Sequence, residues 1–320
     1  MSWRVRVPSF ATLGPVVALL IAGVFFALQS DRFLTTDNVA LVLQQVMVVG
    51  VIAIGQTLIV LTAGVDLSCG AVMALGGIVM TKLATLGGMP VPLAVLSGIA
   101  VTTLFGTMNG ALVAVVRLPP FIVTLGTLNI AFALTQLYSG AQTVTDIPSA
   151  LDALGRTFRI GSTPIQYGVL LMFAMYGVAW FVLRETAWGR HVYALGDNIE
   201  ATRLAGIPTT RILLSVYATA GVCYGLAAVL AVARTGVGDP NAGQTENLDA
   251  VTAVVIGGTS LFGGRGVVLS SFIGALIVGV FRNGLTLMGV SPVYQLLVTG
   301  VLVILAVTAD QLSRRHAGMR

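Results

Sequence analysis

Few side chains in this sequence could carry acid–base, metal or phosphate chemistry. The two histidines, His191 and His316, stand in basic surroundings and lack the spacing that a metal site or a catalytic triad needs. The one lysine, Lys82, belongs to no Gly-x-x-x-x-Gly-Lys-Ser/Thr sequence, so a phosphate-cradling P-loop is absent. We therefore expect no enzyme, no catalytic residue, no metal site and no cofactor. If nucleotide energy drives this protein, another chain hydrolyses the nucleotide.

Asp66 is the only carboxylate that the sequence embeds in a strongly apolar stretch. An acidic group inside a membrane is costly and usually functional. The other acidic residues fall in loops or at the ends of apolar segments, so a proton or sodium relay is poorly supplied with groups. Asp66 stands next to Ser68 and close to Gly70, and it could instead cap a helix that begins near Gly70.

Neutral amides and hydroxyls lie in or beside several apolar segments. They are Gln44, Gln45, Gln56, Asn109, Thr124, Thr127, Asn129, Gln136 and Asn283. Such groups suit a passage for a neutral polyhydroxylated solute, which needs hydrogen-bond donors and acceptors but no fixed charge. They equally suit hydrogen bonding between membrane helices. The candidate residues of a translocation path are Asp66, Ser68, Asn109, Thr124, Thr127 and Asn129.

The elements that would position these groups are long apolar helices. Hydrophobic residues make up 56% of the 320 positions and charged residues 9%, whereas an ordinary soluble domain has about 25% charged residues. Runs such as residues 13–28 are continuously apolar, unlike the alternating strands of a membrane barrel. The sequence therefore predicts an all-α polytopic membrane helix bundle, with residues 1–320 in a single transmembrane domain.

The apolar pattern predicts about ten spans, since a helix needs about 20 residues to cross the hydrocarbon core. Their bounds are 11–29, 39–62, 70–87, 91–116, 120–138, 165–183, 212–233, 248–262, 267–288 and 293–310. The second span runs into glycine-bearing sequence near residue 64, and the eighth is short and reaches another such stretch near residue 258. Either place could be a broken or re-entrant segment that points to the path, or a loop at the membrane surface.

The basic residues favour an orientation with both termini inside the cell. With the N-terminus inside, the cytoplasmic set is Arg4, Arg6, Arg117, Arg184, Arg190, Arg203, Arg211, Arg265, Arg314, Arg315 and Arg320. The outer set is Arg32, Lys82, Arg156, Arg159, Arg234 and Arg282. Eleven against six agrees with the positive-inside rule and predicts that both termini lie inside. The net charge of +5 forms no stripe along the sequence, so we expect no nucleic-acid partner.

The segment 184–211 is too long and too well punctuated for a simple cytoplasmic turn. Asp197 and Glu200 have the spacing of a capping box, which predicts that a helix starts after Asp197. Gly206 suits the position that follows a helix, and Pro208 prevents the helix from continuing. A two-turn helix over residues 198–205 is marginal by itself in water. We therefore expect it to dock against its own membrane domain or another protein.

Four stretches of the chain resemble the permease subunits of bacterial ABC importers for ribose, xylose, galactose and related sugars. They are residues 65–75 with Val-Asp-Leu-Ser, 119–127 with Pro-Pro-Phe-Ile-Val-Thr-Leu-Gly-Thr, 188–207, and 254–264 with Gly-Gly-Thr-Ser-Leu-Phe-Gly-Gly. The resemblance extends from about residue 40 to 310. Cys69 stands where the family commonly has a second small residue after the serine, which is a mild departure.

The resemblance implies an assembly of several chains in the lipid bilayer of the bacterial cytoplasmic membrane. Its expected partners are a pair of cytoplasmic ABC ATPase subunits, an extracytoplasmic sugar-binding protein and a second permease copy, as a homodimer or a similar heterodimer. It implies that the helix between Asp197 and Gly206 is the coupling helix that sits in a cleft of the ATPase. The residues of that helix are Asp197, Asn198, Glu200, Ala201, Arg203, Leu204 and Gly206.

The function that the resemblance implies is ATP-driven import of a monosaccharide by alternating access, with specificity mostly in the binding protein. Two alternatives stay open on the sequence. One is a permease of the same machinery for branched-chain amino acids, and the other is a secondary transporter or channel that works alone. An enzyme embedded in the membrane is disfavoured, because the sequence lacks the groups of residues that catalysis would need.

Overall fold

The computed structural model describes residues 10–318, and almost all regular structure in that part of the chain is α-helix. The helices are α1 Phe10–Gln29, α2 Thr36–Leu61, α3 Cys69–Thr85, α4 Val91–Ala114, α5 Pro120–Ser139, α6 Tyr167–Glu185, α7 Ala187–Asp197, α8 Ile199–Leu204, α9 Thr209–Thr235, α10 Glu246–Ile256, α11 Val268–Leu287 and α12 Pro292–Gly318. A 3-10 helix, Ala153–Gly155, precedes the antiparallel strands β1 Thr157–Ile160 and β2 Thr163–Gln166. The predicted all-α class is confirmed. Arg4, Arg6 and Arg320 of the orientation argument lie outside the described residues.

Each of the ten predicted apolar segments coincides with a helix. Among the described residues, six helices are long and apolar enough to cross a membrane, namely α2, α4, α5, α6, α9 and α11. Shorter apolar helical stretches occur at Gly14–Gln29, Cys69–Thr85 and Pro292–Val301. The expected eighth span is helical only over α10, whose 11 residues rise about 17 Å. That is well short of a hydrocarbon core of about 30 Å.

The chain is interrupted at both places where a broken span was expected. We call residues 62–68, between α2 and α3, the first interruption, and residues 257–267, between α10 and α11, the second. Much of each interruption is buried inside the chain. The second interruption also touches the end of α2, because the Gly264 NH donates to the carbonyl of Leu61 at 3.0 Å. Irregular backbone that is buried and hydrogen-bonded in this way fits broken helices better than loops on a membrane surface.

The centre of the bundle is α9, which packs against α4, α2 and α3. Glycine allows the closest of these contacts. A Cβ at Gly106 of α4 would collide with the Tyr217 carbonyl oxygen of α9. Helices in lipid gain little from hydrophobic exclusion and depend on such close packing. The large side chains of Tyr217 and Tyr224 of α9 are almost completely buried, and the Tyr224 ring lies against Gly55 of α2.

Some of the neutral polar residues join helices to one another. Asn38 of α2 and Asn283 of α11 exchange two amide hydrogen bonds, both 2.9 Å long. Further along the same two helices, the Thr57 hydroxyl donates to the Ser271 hydroxyl at 2.8 Å. For Asn283, which could have lined a passage, the structure therefore shows contact between helices.

The two ends of the bundle differ. Helix α9 begins five residues after α8 and extends for 27 residues, which is about 40 Å. Its far end therefore lies at the opposite side from α7 and α8. The 3-10 helix packs against that far end, and the β-hairpin follows it directly. We call the two sides the α8 end and the hairpin end. The hairpin was not predicted, because strands of four residues carry little periodic signal.

The contact at Gly106 gives a prediction about stability. Gly106→Ala should lower the melting temperature of the purified protein in detergent, since overpacking of this kind costs about 1–3 kcal/mol. Gly126→Ala on α5 is the matched control, because nothing lies within 4 Å of the added methyl group. Equal melting temperatures for the two variants would contradict the role of Gly106 in close packing.

Candidate coupling and translocation sites

The segment 184–211 holds two helices instead of the one that was predicted. The sequence analysis did not predict α7. The residue that caps α8 lies one position later than expected. Asp197 is the last residue of α7, and Asn198, in extended conformation, caps α8 by accepting from the Ala201 NH at 2.9 Å. The expected Asp197 cap is therefore wrong. Glu200 does not bond back to the cap, because its carboxylate pairs with Arg203 at 3.2 Å.

The end of α8 agrees with the prediction. Gly206 follows the helix with φ of +81°, in the left-handed region that favours glycine. The Ile207 NH then donates to the carbonyl of Thr202 at 3.3 Å, and Pro208 immediately precedes α9. The chain therefore reverses direction sharply at the point where α8 stops.

Helix α8 is held on one side and presents the other to solvent. Thr202 is buried, and its hydroxyl donates to the Ala194 carbonyl of α7 at 2.8 Å. Leu204 is 83% exposed and Ile199 is 45% exposed. All the predicted coupling residues are exposed: Asp197, Asn198, Glu200, Ala201, Arg203, Leu204 and Gly206. An exposed leucine beside charged neighbours suits contact with another protein.

Helix α7 is fastened to the last residue of α2, directly before the first interruption, and to the second interruption, in a set of contacts that we call the α7 clamp. A Cβ at Gly196 would collide with the Leu61 carbonyl oxygen and lie 2.6 Å from the Gly264 nitrogen, so only glycine fits there. One turn earlier, the Tyr193 hydroxyl donates to the Gly266 carbonyl at 2.9 Å. Burial raises the pKa of the Tyr193 phenol, so it stays protonated and keeps donating. The clamp therefore joins α7 to the end of α2 and to the second interruption.

Four of the predicted path residues form one buried hydrogen-bond chain. The Thr127 hydroxyl donates to Asn109 Oδ1 at 2.6 Å, and Asn109 Nδ2 donates to Ser68 Oγ at 3.1 Å. Ser68 in turn donates its hydroxyl and its NH to Asp66 Oδ1, at 2.6 and 2.8 Å. The four residues are at most 2% exposed. Asp66 thus shapes the turn before α3, and the chain of bonds joins α4 and α5 to the first interruption.

The remaining two path candidates are placed differently. Thr124 belongs with the first interruption, because its hydroxyl donates to the Val65 carbonyl at 3.1 Å. The Gln56 amide also holds this segment, facing the backbone carbonyl and NH of Asp66 at 3.1 and 3.2 Å. Asn129 lies apart, exposed on α5, with its amide donating only to the Leu125 carbonyl of its own helix.

A buried ion pair near the hairpin end was missed. Asp249 of α10 is 2% exposed, and its carboxylate lies 2.9 Å from Arg282 of α11. The expectation that Asp66 is the only embedded carboxylate is therefore wrong. The reason is that α10 begins inside the bundle, where Asn247 Nδ2 donates to the Leu67 carbonyl at 3.3 Å. In the sequence, only the shortness of the eighth apolar segment indicated that its helix begins inside the bundle.

Residues 236–246 fold back between α3 and α9 and enclose a cavity of about 300 Å³. The polar residues lining it include Arg234, Asp239, Asn241, Gln244 and Glu246. A neighbouring cavity of about 410 Å³ shares two of these side chains and reaches α2 and α11. The sequence analysis had placed Arg234 and Arg282 on the outer side, but it did not predict that they lie close together.

Comparison with known proteins identifies the family. Residues 38–307 match the family described as a branched-chain amino acid transport system permease component. The chain belongs to this permease family. With its six long apolar helices, it is a multi-pass protein of the bacterial inner membrane.

Relatives of this permease include proteins named for sugars. It is 44% identical over 309 residues to the fructose import permease protein of Rhizobium meliloti, covering 95% of this chain and 86% of the relative. It is 39% identical over 299 residues to the ribose import permease protein of Escherichia coli K12, covering 92% of each. Identity to the xylose transport system permease protein of the same strain is 30%, covering 96% and 93%.

The buried hydrogen-bond chain of the permease gives a stability prediction. Thr127→Val removes the donor to Asn109 and leaves a buried amide oxygen unpaired, which costs about 1–3 kcal/mol. Thr107→Val on α4 is the matched control, since its hydroxyl donates only to the Thr103 carbonyl one turn away. We expect a clearly lower melting temperature in detergent for Thr127→Val alone. Similar losses in both variants would contradict the importance of the chain.

The ion pair gives a second prediction. Asp249→Ala removes the carboxylate that faces Arg282. Because the Arg282 side chain keeps 34% of its surface exposed, the loss of this charge-assisted contact should cost about 1–3 kcal/mol. In the control Asp152→Ala, the lost partner is the exposed Arg156, and such surface pairs contribute at most about 1 kcal/mol. Thermal unfolding should therefore separate the two variants. An Asp249→Ala protein as stable as Asp152→Ala would show that the pair contributes little.

Proposed function

We propose that this permease is the transmembrane subunit of an ATP-driven importer that carries a monosaccharide across the bacterial inner membrane. The observation that carries the proposal is the arrangement at the α8 end: a short helix exposing Leu204 is fixed, through α7, to both interrupted spans. The substrate class comes from the relatives, which are named as import or transport permeases for fructose, ribose and xylose.

The proposed assembly has partners at both ends. A cytoplasmic ABC ATPase subunit docks on α8, which makes the α8 end cytoplasmic and both termini intracellular. An extracytoplasmic sugar-binding protein docks at the hairpin end. A second permease copy completes the membrane part, with residues 1–320 as one transmembrane domain and 184–211 as its coupling loop. The exposed face of α8 and the excess of basic residues on the predicted cytoplasmic side support this orientation.

In the proposed mechanism, closure of the ATPase displaces α8, and the α7 clamp passes that displacement to the interruptions. Because Gly196 packs against the end of α2 and against Gly264, the clamp moves two broken spans together. The spans then alternate between inward-open and outward-open arrangements. Broken helices are suited to this role, since they can pivot where the helical hydrogen bonds are already absent.

The proposed translocation path runs beside the first interruption. Asp66, Ser68, Asn109, Thr124 and Thr127 hold the wall of this path in shape through the hydrogen bonds described above. Asn129 faces the passage between two permease copies. An exposed amide on a membrane helix supports that placement, because a polar group facing lipid would be costly.

A second candidate is import of branched-chain amino acids, which the description of the matching family favours. The decisive experiment is transport by proteoliposomes. The permease, its ATPase and its binding protein are reconstituted together, and uptake of labelled fructose, ribose, xylose and leucine is measured with and without ATP. We expect ATP-dependent uptake of a sugar. Uptake of leucine alone would favour the second candidate, and gradient-driven uptake by the permease alone would contradict both.

The coupling role of α8 predicts a specific loss. Leu204→Ser should reduce copurification of the ATPase and abolish stimulation of its ATP hydrolysis by the loaded binding protein, because the exposed apolar contact is removed. Ile160→Ser, at an equally apolar residue that is 60% exposed on the hairpin, should keep the ATPase bound. If Leu204→Ser assembles and hydrolyses ATP like the unaltered permease, α8 is not the docking helix.

A further inference from the structure

Building on the proposed function, we infer that the cavity enclosed by residues 236–246 is a monosaccharide-binding subsite of the permease itself. It lies at the hairpin end, where a sugar would be received. Its lining combines one guanidinium, two carboxylates, two amides and hydroxyls above an apolar floor. The inference thus places a recognition site in the chain that otherwise only conducts the sugar.

Arg234 is the central group of this subsite. It is half-buried at the end of α9, and its side chain forms no hydrogen bond or ion pair with the residues that the structure describes. A guanidinium has five N–H donors, and leaving them unused in a partly buried place is unfavourable. A ligand with several oxygens close together would satisfy them. Neighbouring hydroxyls of a sugar ring have that geometry.

The acceptors opposite are also free to bind a ligand. The Glu246 carboxylate accepts only long hydrogen bonds, of 3.3 and 3.4 Å, from the NH and hydroxyl of Thr245, and it attracts Arg234 without forming an ion pair with it. Asp239 uses one oxygen, which accepts from the Asn241 NH at 2.9 Å. Asn241 Oδ1 accepts from Gln136 and Gln244, so its own amide nitrogen remains available. Each sugar hydroxyl both donates and accepts, and it can therefore use all these groups.

Mixed charge and size select the class of ligand. Arg234 disfavours a metal cation, while Asp239 and Glu246 together disfavour a free anion, so a polar molecule without net charge fits best. Among such molecules, the proposed function selects a monosaccharide over a zwitterionic amino acid. The volume of about 300 Å³ is at the lower end for small-molecule pockets. Met73 and Val232 supply apolar surface for the C–H face of a ring. Arg234 and Glu246 also line the neighbouring cavity of about 410 Å³, which would give the ligand an onward route.

The test is protection of a cysteine introduced in the lining. Gln244 is exposed, whereas the native thiols of Cys69 and Cys223 are buried, so a polar methanethiosulfonate should label the permease chain of the assembled Gln244→Cys transporter at one place. D-Fructose, D-ribose, D-xylose and D-allose are tried as probes. A sugar present at ten times its dissociation constant should slow labelling about tenfold, since only the empty fraction reacts.

Two variants make the result specific. Arg234→Gln, or Glu246→Gln if the first does not fold, should abolish protection while the labelling rate without sugar stays unchanged. Arg159→Gln, an exposed arginine on β1 at the same end, should leave protection intact. Protection that survives in whichever of these two cavity variants folds would overturn the subsite.

The subsite and the proposed function fail in different ways. If the reconstituted transporter imports one of these sugars but none slows labelling, the subsite is rejected and sugar import stands. If L-leucine protects and no sugar does, and leucine is also the imported solute, both are overturned.

Discussion

The packing of Gly196 against the end of α2 and the loop before α11 is the constraint on which the rest of the structure depends. At this point three backbones lie so close that no side chain fits between them. Contacts of this kind do not stretch, because packed backbone has few alternative arrangements. In the proposed mechanism, a force applied to α7 or α8 is therefore passed to the ends of the two broken spans instead of being absorbed locally.

The interruptions can receive that force because they are irregular but not loose. Hydrogen bonds from Gln56, Ser68 and Thr124 hold the first interruption in one shape, and α10 is fixed at its far end by the Asp249–Arg282 pair. Buried polar groups in such segments are stable only when they are paired. The bundle thus combines stiff helices, close glycine contacts and two defined places where the chain can bend.

Much of this architecture was predictable from the sequence, because long apolar helices leave a strong pattern. The end of α8 was also predicted correctly, because Gly206 and Pro208 mark the end of a helix in the local sequence. The cap at Asn198 was misplaced by one residue, since the mixed sequence of α7 hid a helix that ends at Asp197. The burial of Asp249 could not be predicted, because it depends on Arg282, which lies far along the chain, and on where α10 begins inside the bundle.

The most direct test of the account is whether the α7 clamp moves as one body. Spin labels on α8 at Ala201 and at the start of α11 at Leu269, both exposed positions, report the distance across the clamp by pulsed electron paramagnetic resonance. In the assembled transporter, ATP should leave this distance unchanged while the distance between the Ala201 labels of two copies shortens. An ATP-driven change across the clamp as large as the change between copies would contradict the account.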